Sequence, residues 1–158
     1  RAVYPEESVV LWDAGVILAD IQQAAEDVDR LFPLSLASGG SARIGGSLAT
    51  NAGGVNVLRY GNTRDLCLGL EVVMADGAIW NGLGRLRKDN TGYDLRHLMI
   101  GPEGTFGIIT GASLKLAPPP RHLGVALFTV PDPISPLSLF AMTRDELVEH
   151  VSTLDFIH

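Results

Sequence analysis

Two Gly-Gly pairs, Gly45–Gly46 and Gly53–Gly54, stand eight residues apart in the stretch ARIGGSLATNAGGV. Glycine costs roughly 0.5–1 kcal/mol relative to alanine inside regular structure, so its density here needs a local reason. The small residues between the pairs leave backbone N–H groups unhindered and predict a short helix that begins near Gly45. Such a backbone can accept an anionic or strongly polar ligand without a cation. Turns and tight packing explain the same glycines equally well, and both interpretations stay open.

A second glycine cluster, IGPEGTFGIIT, spans residues 100–110 and repeats glycine every third residue. The polar segment LRKDNTGYDL, residues 86–95, precedes it between apolar runs. Three such loops in one small domain suit a large cofactor that is contacted from several loops. The sequence contains neither a G-x-x-x-x-G-K-[ST] motif nor a G-x-G-x-x-G motif between a strand and a helix. The lack of both motifs argues against a P-loop and against a Rossmann dinucleotide site.

The elements that would position these loops alternate between strands and helices. SVVLWDAGV predicts a strand, and the apolar period over residues 17–32 predicts a helix that stops at Pro33. CLGLEVVMADGAIWNG predicts a hairpin with its turn at ADG. DLRHLMIG predicts a short helix capped by Asp94 and terminated at Gly101.

The remaining segments predict two more strands and a final helix. FGIITGASLKLAP indicates a strand broken at Gly111, and GVALFTV, residues 124–130, indicates another. PDPISPLSLF is typical of a loop, and TRDELVEHV predicts a capped helix that opens with Thr143. Paired strands with short helices between them predict an α+β fold with a mainly antiparallel sheet and flanking helices.

Composition bounds the class of protein. The chain has 158 residues, 46% of them hydrophobic and 19% charged, which is typical of a globular domain. A net charge of −6 with dispersed basic residues argues against nucleic-acid binding, and no apolar run is long enough for a membrane span. The lone Cys67 excludes an intrachain disulfide, and a cytoplasmic location is the default. The first residues, RAVYPEESVV, are typical of a chain already in mid-domain, so we expect a fragment.

Four motifs together carry a resemblance to a known family: IGG-x-x-ATNAGG, RYGNTRD, RKDNTGYD and EGT-x-G-I-I-T. From about Val9 to Val130 the chain resembles the FAD-binding domain of the vanillyl-alcohol oxidase/p-cresol methylhydroxylase (PCMH-type) flavoproteins. It is most similar to their branch of FAD-linked D-2-hydroxy-acid dehydrogenases, which includes D-lactate dehydrogenase, the glycolate oxidase FAD subunit and D-2-hydroxyglutarate dehydrogenase. The resemblance covers the second of the two FAD-binding subdomains in this family, and it implies FAD as the cofactor.

The resemblance implies two stretches that contact FAD, mainly through backbone groups. The first stretch matches at Ser38, Gly40, Ser41, Gly45, Gly46, Thr50, Asn51, Gly53, Gly54 and Gly61. The second matches at Glu103, Gly104, Gly107, Ile108 and Ile109. Small residues let a flat ring approach the main chain, and amide N–H groups can bind its polar edge. Lys88, Asn90 and Tyr93 are further candidates, although a structural turn explains RKDNTGYD at least as well.

By the same resemblance, the parent activity is oxidation of a small D-2-hydroxy acid of the lactate, glycolate or 2-hydroxyglutarate type. The product is the 2-oxo acid, and a hydride passes to the flavin. The domain division expected is a partial FAD-binding domain over residues 1–130, without its pyrophosphate-loop subdomain, and a tail over 131–158. The tail is either a truncated entry to the substrate-binding cap or an unrelated ending. The catalytic base and the contacts to the small hydroxy acid would come from that missing cap. The catalytic residues are therefore unknown.

Alternatives and absences complete the sequence-based expectations. The alternative function is that of a non-catalytic module, truncated or split, that needs a partner chain. The partner would be a different chain or further copies of this one in a homo-oligomer. RKDNTGYD argues against a sugar-lactone oxidase or an alkyl-phosphate synthase. The four histidines are scattered without ligand spacing, so no metal site is expected. Arg59 and Arg64 are expected to make surface or structural contacts rather than to bind substrate.

Overall fold

A five-stranded antiparallel sheet forms the centre of the computed structural model, which describes residues 1–132, 134–147 and 150–157. The spatial order of the strands is β1-β2-β5-β3-β4. Their bounds are β1 Ala2–Tyr4, β2 Val9–Asp13, β3 Cys67–Val73, β4 Ile79–Gly82 and β5 Ile108–Lys115. This arrangement confirms the predicted α+β fold with an antiparallel sheet.

Helices fill the connections between the strands. Their bounds are α1 Leu18–Glu26, α2 Ile44–Ala49, α3 Val57–Tyr60, α4 Thr63–Leu66, α5 Arg96–Met99 and α6 Ser135–Leu147. The short helix predicted near Gly45 is therefore confirmed as α2. Within the described ranges, no helix combines the length and the apolar character that a bilayer crossing requires.

The hydrophobic core lies between one face of the sheet and the first two helices. Alternate positions of neighbouring strands supply that face, because side chains point to opposite sides of a strand in turn. α1 and α2 contribute their apolar stripes to the same cluster. The central members are Val10, Leu70, Ala112, Leu114, Leu18, Ile21, Ala25, Ile44 and Leu48, all with no exposed surface.

On the opposite face of the sheet, a charged row crosses the strands. The Arg1 guanidinium lies 2.7 Å from Asp13 Oδ1 and 2.7 Å from Glu71 Oε1, and the Thr110 hydroxyl donates to the same Glu71 oxygen. Hydrogen bonding from Arg1 keeps the pKa of Glu71 below its ordinary value. A Cβ on Gly111 would lie 2.6 Å from Arg1 Nη1, so the guanidinium lies close over this glycine and would have to shift for a larger residue. The prediction of a strand broken at Gly111 is wrong, because β5 runs through this residue without interruption.

The first helix ends earlier than its apolar period predicts. α1 stops at Glu26, whereas the sequence predicted a helix to residue 32. Asp29 takes a left-handed backbone with φ of 55°. The amides of Asp29 and Arg30 donate to the carbonyls of Glu26 and Ala25, which closes the helix in a Schellman-type turn. Phe32 nevertheless packs in the core from the following segment.

Of the other predictions for residues 67–130, two hold and two differ from the structure. The hairpin is confirmed, since β3 and β4 pair across a turn at Gly77 with φ of 84°. The short helix before Gly101 is confirmed as α5, but Asp94 does not cap it, because Arg96 binds the Asp94 carboxylate. Residues 124–130 form no strand, since nothing pairs with them within the described ranges.

The C-terminal helix begins before the predicted position. α6 starts at Ser135 rather than at Thr143, inside the segment predicted to be a loop. The Asp132 carboxylate accepts hydrogen bonds from the amides of Ile134 and Ser135 and from the Ser135 hydroxyl, as a cap does. Residues 148 and 149 of the predicted helix lie outside the described residues.

Candidate functional site

An open groove of about 480 Å³ lies where the end of β2 meets the start of β5. The two strands are antiparallel neighbours, and the Ala14 amide donates to the Thr110 carbonyl at 2.9 Å. α2 lies beside this corner, because the Gly45 amide donates to the Ala14 carbonyl at 2.8 Å and the Ile44 amide to Val16. The groove is thus built where a strand end, a helix and a glycine-rich loop converge.

The first wall of the groove comes from the first Gly-Gly pair. A Cβ on Gly45 would lie 2.6 Å from the Cβ of Ala14 and 3.0 Å from its carbonyl oxygen, so only glycine allows this approach. A Cβ on Gly46 would meet no atom within 4 Å. Gly46 therefore leaves the groove open rather than serving the packing of the chain.

The second wall comes from the second glycine cluster. Glu103, Gly104, Gly107, Ile108 and Ile109 line it, and Met99 adds an apolar side chain from the end of α5. Two hydrogen bonds tie this wall to α2: the Gly101 amide donates to Leu48 and the Glu103 amide to Ala49. The two glycine motifs, more than fifty residues apart in sequence, are thus brought to one groove.

The sequence-predicted residues divide into two sets. Seven line the groove: Gly45, Gly46, Glu103, Gly104, Gly107, Ile108 and Ile109. The other eight lie outside it: Ser38, Gly40, Ser41, Thr50, Asn51, Gly53, Gly54 and Gly61. The cofactor contacts of both sets stay predictions.

Several residues of the outer set have structural roles. Gly54 has a φ of 79°, and a Cβ there would collide with the Ser35 carbonyl. Thr50 donates its hydroxyl to the Gly46 carbonyl at 2.9 Å, and the Asn51 side chain accepts from the Arg64 amide at 3.0 Å. These contacts hold the loop that follows α2, so they support the packing interpretation for the second Gly-Gly pair.

The RKDNTGYD segment lies away from the groove. Tyr93 is 94% exposed, and Lys88 and Asn90 are exposed as well. The Asp89 carboxylate accepts the Thr91 amide at 3.0 Å, which is a local turn contact. The geometry favours the structural-turn interpretation of this segment.

Five groove residues were missed by sequence reasoning: Ala14, Gly15, Arg43, Ala49 and Met99. The DAG sequence at the end of the first predicted strand was the available signal for Ala14 and Gly15, since small residues there permit a close approach. Arg43 and Glu103 are the charged residues of the lining, and the Arg43 guanidinium donates to the Gly15 carbonyl. Among the described residues, no carboxylate lies within 4 Å of Arg43.

The histidines form no metal centre in the part of the chain that the structure describes. No group of three or more His, Cys, Asp or Glu residues there is placed to hold an ion. His97 lies on α5, 3.3 Å from Asp94, while His158 falls outside the described residues.

Comparison with known proteins identifies the kind of ligand. A family described as FAD binding domain matches residues 1–82. D-2-hydroxyglutarate–pyruvate transhydrogenase of Saccharomyces cerevisiae is 44% identical over 92% of this chain, and mitochondrial D-2-hydroxyglutarate dehydrogenase of Bos taurus is 46% identical over 94%. A putative mitochondrial D-lactate dehydrogenase of Schizosaccharomyces pombe is 41% identical over 94%. The chain spans only 29%, 27% and 28% of these three relatives.

A solved structure has the same fold. Alkyldihydroxyacetonephosphate synthase superposes on 77% of this chain with a TM-score of 0.65 and 25% sequence identity, and the match covers 20% of that chain.

The groove fits a flavin ring. Gly46 provides a cradle that any side chain would fill, and Ile108, Ile109 and Met99 provide apolar surface for a flat conjugated ring. Since the family match extends over more than half of the chain and includes the first wall of this groove, the chain belongs to the FAD binding domain family, and its cofactor is FAD.

Proposed function

We propose that this chain is the flavin-holding part of an FAD-dependent dehydrogenase that oxidises a small D-2-hydroxy acid to the 2-oxo acid. The observation that carries the proposal is the groove in which the two glycine motifs meet. The relatives supply the substrate class, because they are named for D-2-hydroxyglutarate and D-lactate. Bound FAD would supply the hydride acceptor.

The residues of this chain would bind and orient the ring rather than transfer protons. Gly46 would let the main chain approach the ring, and Ile108 and Ile109 would pack against it. Arg43, whose side chain is exposed at the groove, would add a positive charge near the polar edge of the ring. A cation there favours the reduced flavin, because reduction places negative charge on the ring.

Oxidation of a D-2-hydroxy acid is better supported for this chain than the reaction of an alkyl-phosphate synthase. Relatives named for D-2-hydroxyglutarate are 44% and 46% identical to this chain, whereas alkyldihydroxyacetonephosphate synthase is 25% identical. Because the chain spans under a third of those relatives, we propose that the catalytic base and the carboxylate-binding groups belong to the parts it does not span. Among the hydroxy acids, we propose D-2-hydroxyglutarate as the substrate to test first.

A non-catalytic module that needs a partner chain is the second candidate. The apolar segment over residues 123–128 favours it, since Leu123, Val125 and Leu127 are 83%, 101% and 87% exposed. A partner chain or a second copy could cover this surface. Two of the three relatives, the D-2-hydroxyglutarate dehydrogenase and the putative D-lactate dehydrogenase, are named as mitochondrial, and this supports a mitochondrial location against the cytoplasmic default.

Flavin retention by groove variants tests the proposal. The purified chain is incubated with FAD and desalted, and its visible spectrum and dissociation constant are measured. In Gly46→Leu the added Cβ would meet no protein atom within 4 Å, the side chain would extend from the groove lining, and the helix would gain a better helix former. We expect unchanged or higher thermal stability together with at least about a tenfold loss of FAD affinity.

Gly84→Leu is the matched control. A Cβ at Gly84 also meets no atom within 4 Å, and Gly84 does not line the groove, so FAD affinity should stay within about twofold. Equal affinities for Gly46→Leu and wild type would refute flavin binding in this groove. Bleaching of the bound flavin by D-2-hydroxyglutarate, compared with D-lactate, would then test the substrate class in the longer parent protein.

A further inference from the structure

Arg64 links the elements of the groove without lining it. Its guanidinium donates to the carbonyl of Ile100 at 2.5 Å and to the carbonyl of His97. These two carbonyls belong to the last turn of α5 and to its C-cap, where helix geometry provides no internal donor. Arg64 therefore closes the end of α5 directly before the second wall begins.

The backbone of Arg64 is attached to the loop that follows α2. Its amide donates to Asn51 Oδ1 at 3.0 Å, and Asn51 follows α2 with a left-handed φ of 49°. One residue thus holds the loop after α2 through its main chain and the end of α5 through its side chain. No carboxylate among the described residues lies within 4 Å of the Arg64 guanidinium, so its charge is directed at carbonyl oxygens.

The absence of a side chain at Gly101 leaves room for the Arg64 guanidinium. Gly101 has a φ of 89°, and a Cβ there would lie 3.1 Å from Arg64 Nη2. The guanidinium therefore occupies space that a side chain at residue 101 would enter. Directly beyond this point, the amides of Gly101 and Glu103 donate to Leu48 and Ala49 of α2 at 3.1 and 3.0 Å.

We propose that Arg64 is a positioning residue for the flavin groove, and that its two-carbonyl contact fixes the start of the second wall, at residues 101–103, against α2. The inference rests on the proposed flavin function. Lysine is not an equivalent replacement, because two guanidinium nitrogens in a rigid fork each reach a separate carbonyl, whereas lysine has a single nitrogen on a flexible stem. Arg64 does not line the groove, so it acts through the loop.

Hydrogen exchange and FAD affinity of Arg64→Lys test the proposal. Arg30→Lys is the matched control: Arg30 also donates to two backbone carbonyls, those of Asp29 and Pro5, and it does not line the groove. Both variants lose hydrogen bonds from a guanidinium to two backbone carbonyls. Urea unfolding measures the free energy of unfolding of each variant, so that a general loss of stability can be separated from a local one. In Arg64→Lys we expect amide exchange at Gly101 and Glu103 to accelerate about tenfold relative to Arg30→Lys, with a similar fractional loss of FAD affinity.

Equal exchange rates at Gly101 and Glu103 in the two variants would overturn the inference. If Arg64→Lys does not fold, native-state exchange of the wild-type chain decides. The Arg64 amide and those of Gly101 and Glu103 should then open with one common free energy, and a clearly easier opening of the latter two would also overturn it. A wild-type chain that retains no FAD would contradict the proposed function, while the exchange result still decides the role of Arg64.

Discussion

Neighbouring glycines in the first wall have different surroundings, and this separates packing from binding. Gly45 faces Ala14, where any side chain would collide, whereas Gly46 faces open space. A substitution at Gly45 therefore disrupts the junction of β2 and α2, and a substitution at Gly46 affects only what enters the groove. The assignment of each glycine depends on its position in space rather than on its place in the motif.

Cys67 is the residue whose ionisation is most altered by the fold. Burial raises the pKa of its thiol from 9.0 to about 12, against the smaller opposing effect of the nearby Arg96 charge. The folded chain therefore keeps the thiol protonated where the unfolded chain ionises. Stability is unaffected below pH 9 and falls as the pH rises from 9 towards 12.

The expected loss of unfolding free energy at pH 10 from this thiol is about 1.4 kcal/mol. Urea unfolding between pH 7 and pH 10 measures it. Cys67→Ala should remove this part of the alkaline slope, while lysines and tyrosines contribute equally in both chains. Identical slopes for the two chains would contradict the prediction. Thiol labelling at pH 8 should also be slow until the chain unfolds.

At the scale of elements, the end of α1 offers a direct test of the Schellman-type turn. Asp29 holds φ of 55°, a conformation that glycine adopts without steric cost. Asp29→Gly should therefore raise the free energy of unfolding by about 0.5–1 kcal/mol, as measured by urea denaturation.

Asp27→Gly is the control for this change. Asp27 has φ of −58°, and its carboxylate accepts a hydrogen bond from Gln23 Nε2 at 3.0 Å. Glycine there loosens the unfolded chain and the helix end and removes this bond, so stability should fall. If both variants were destabilised alike, the left-handed turn would not limit the stability of α1.

Local signals explain which elements could be predicted. The hairpin was predictable because ADG lies between two apolar runs, and α2 because small residues follow an extended segment. The end of α1 was not predictable, since aspartate rather than glycine takes the left-handed position. The start of α6 was missed because prolines on both sides of Ile134 are typical of a loop, whereas Asp132 caps a helix there.

Long-range contacts explain which parts of the site could not be predicted. Both glycine motifs were identified, but only part of the first one reaches the groove. Arg64 and Ile100 are 36 residues apart, and Arg1 and Glu71 are 70 apart, so no local period indicates either contact. The sequence contains the groove's residue types, and the sheet register decides which of them meet.

At the scale of the whole molecule, the segment after β5 is the main unsatisfied surface. Leu123, Val125, Leu127 and Phe128 are between 64% and 101% exposed, and nothing in the described structure pairs with their backbone. An apolar extended segment with free N–H and C=O groups is a template for pairing with another chain. We therefore expect the isolated chain to self-associate through residues 123–128 as its concentration rises.

The double variant Val125→Lys, Leu127→Lys should shift the chain toward the monomer, because charges on an unpaired strand-like segment oppose edge pairing. Sedimentation velocity over a hundredfold concentration range measures the shift. Gln23→Lys with Thr91→Lys adds the same charge at two exposed polar positions and should leave association unchanged. If the wild type and both double variants associated equally, the surface of self-association would lie outside residues 123–128. FAD affinity should be the same in the monomeric variant and wild type, because residues 125 and 127 do not line the groove.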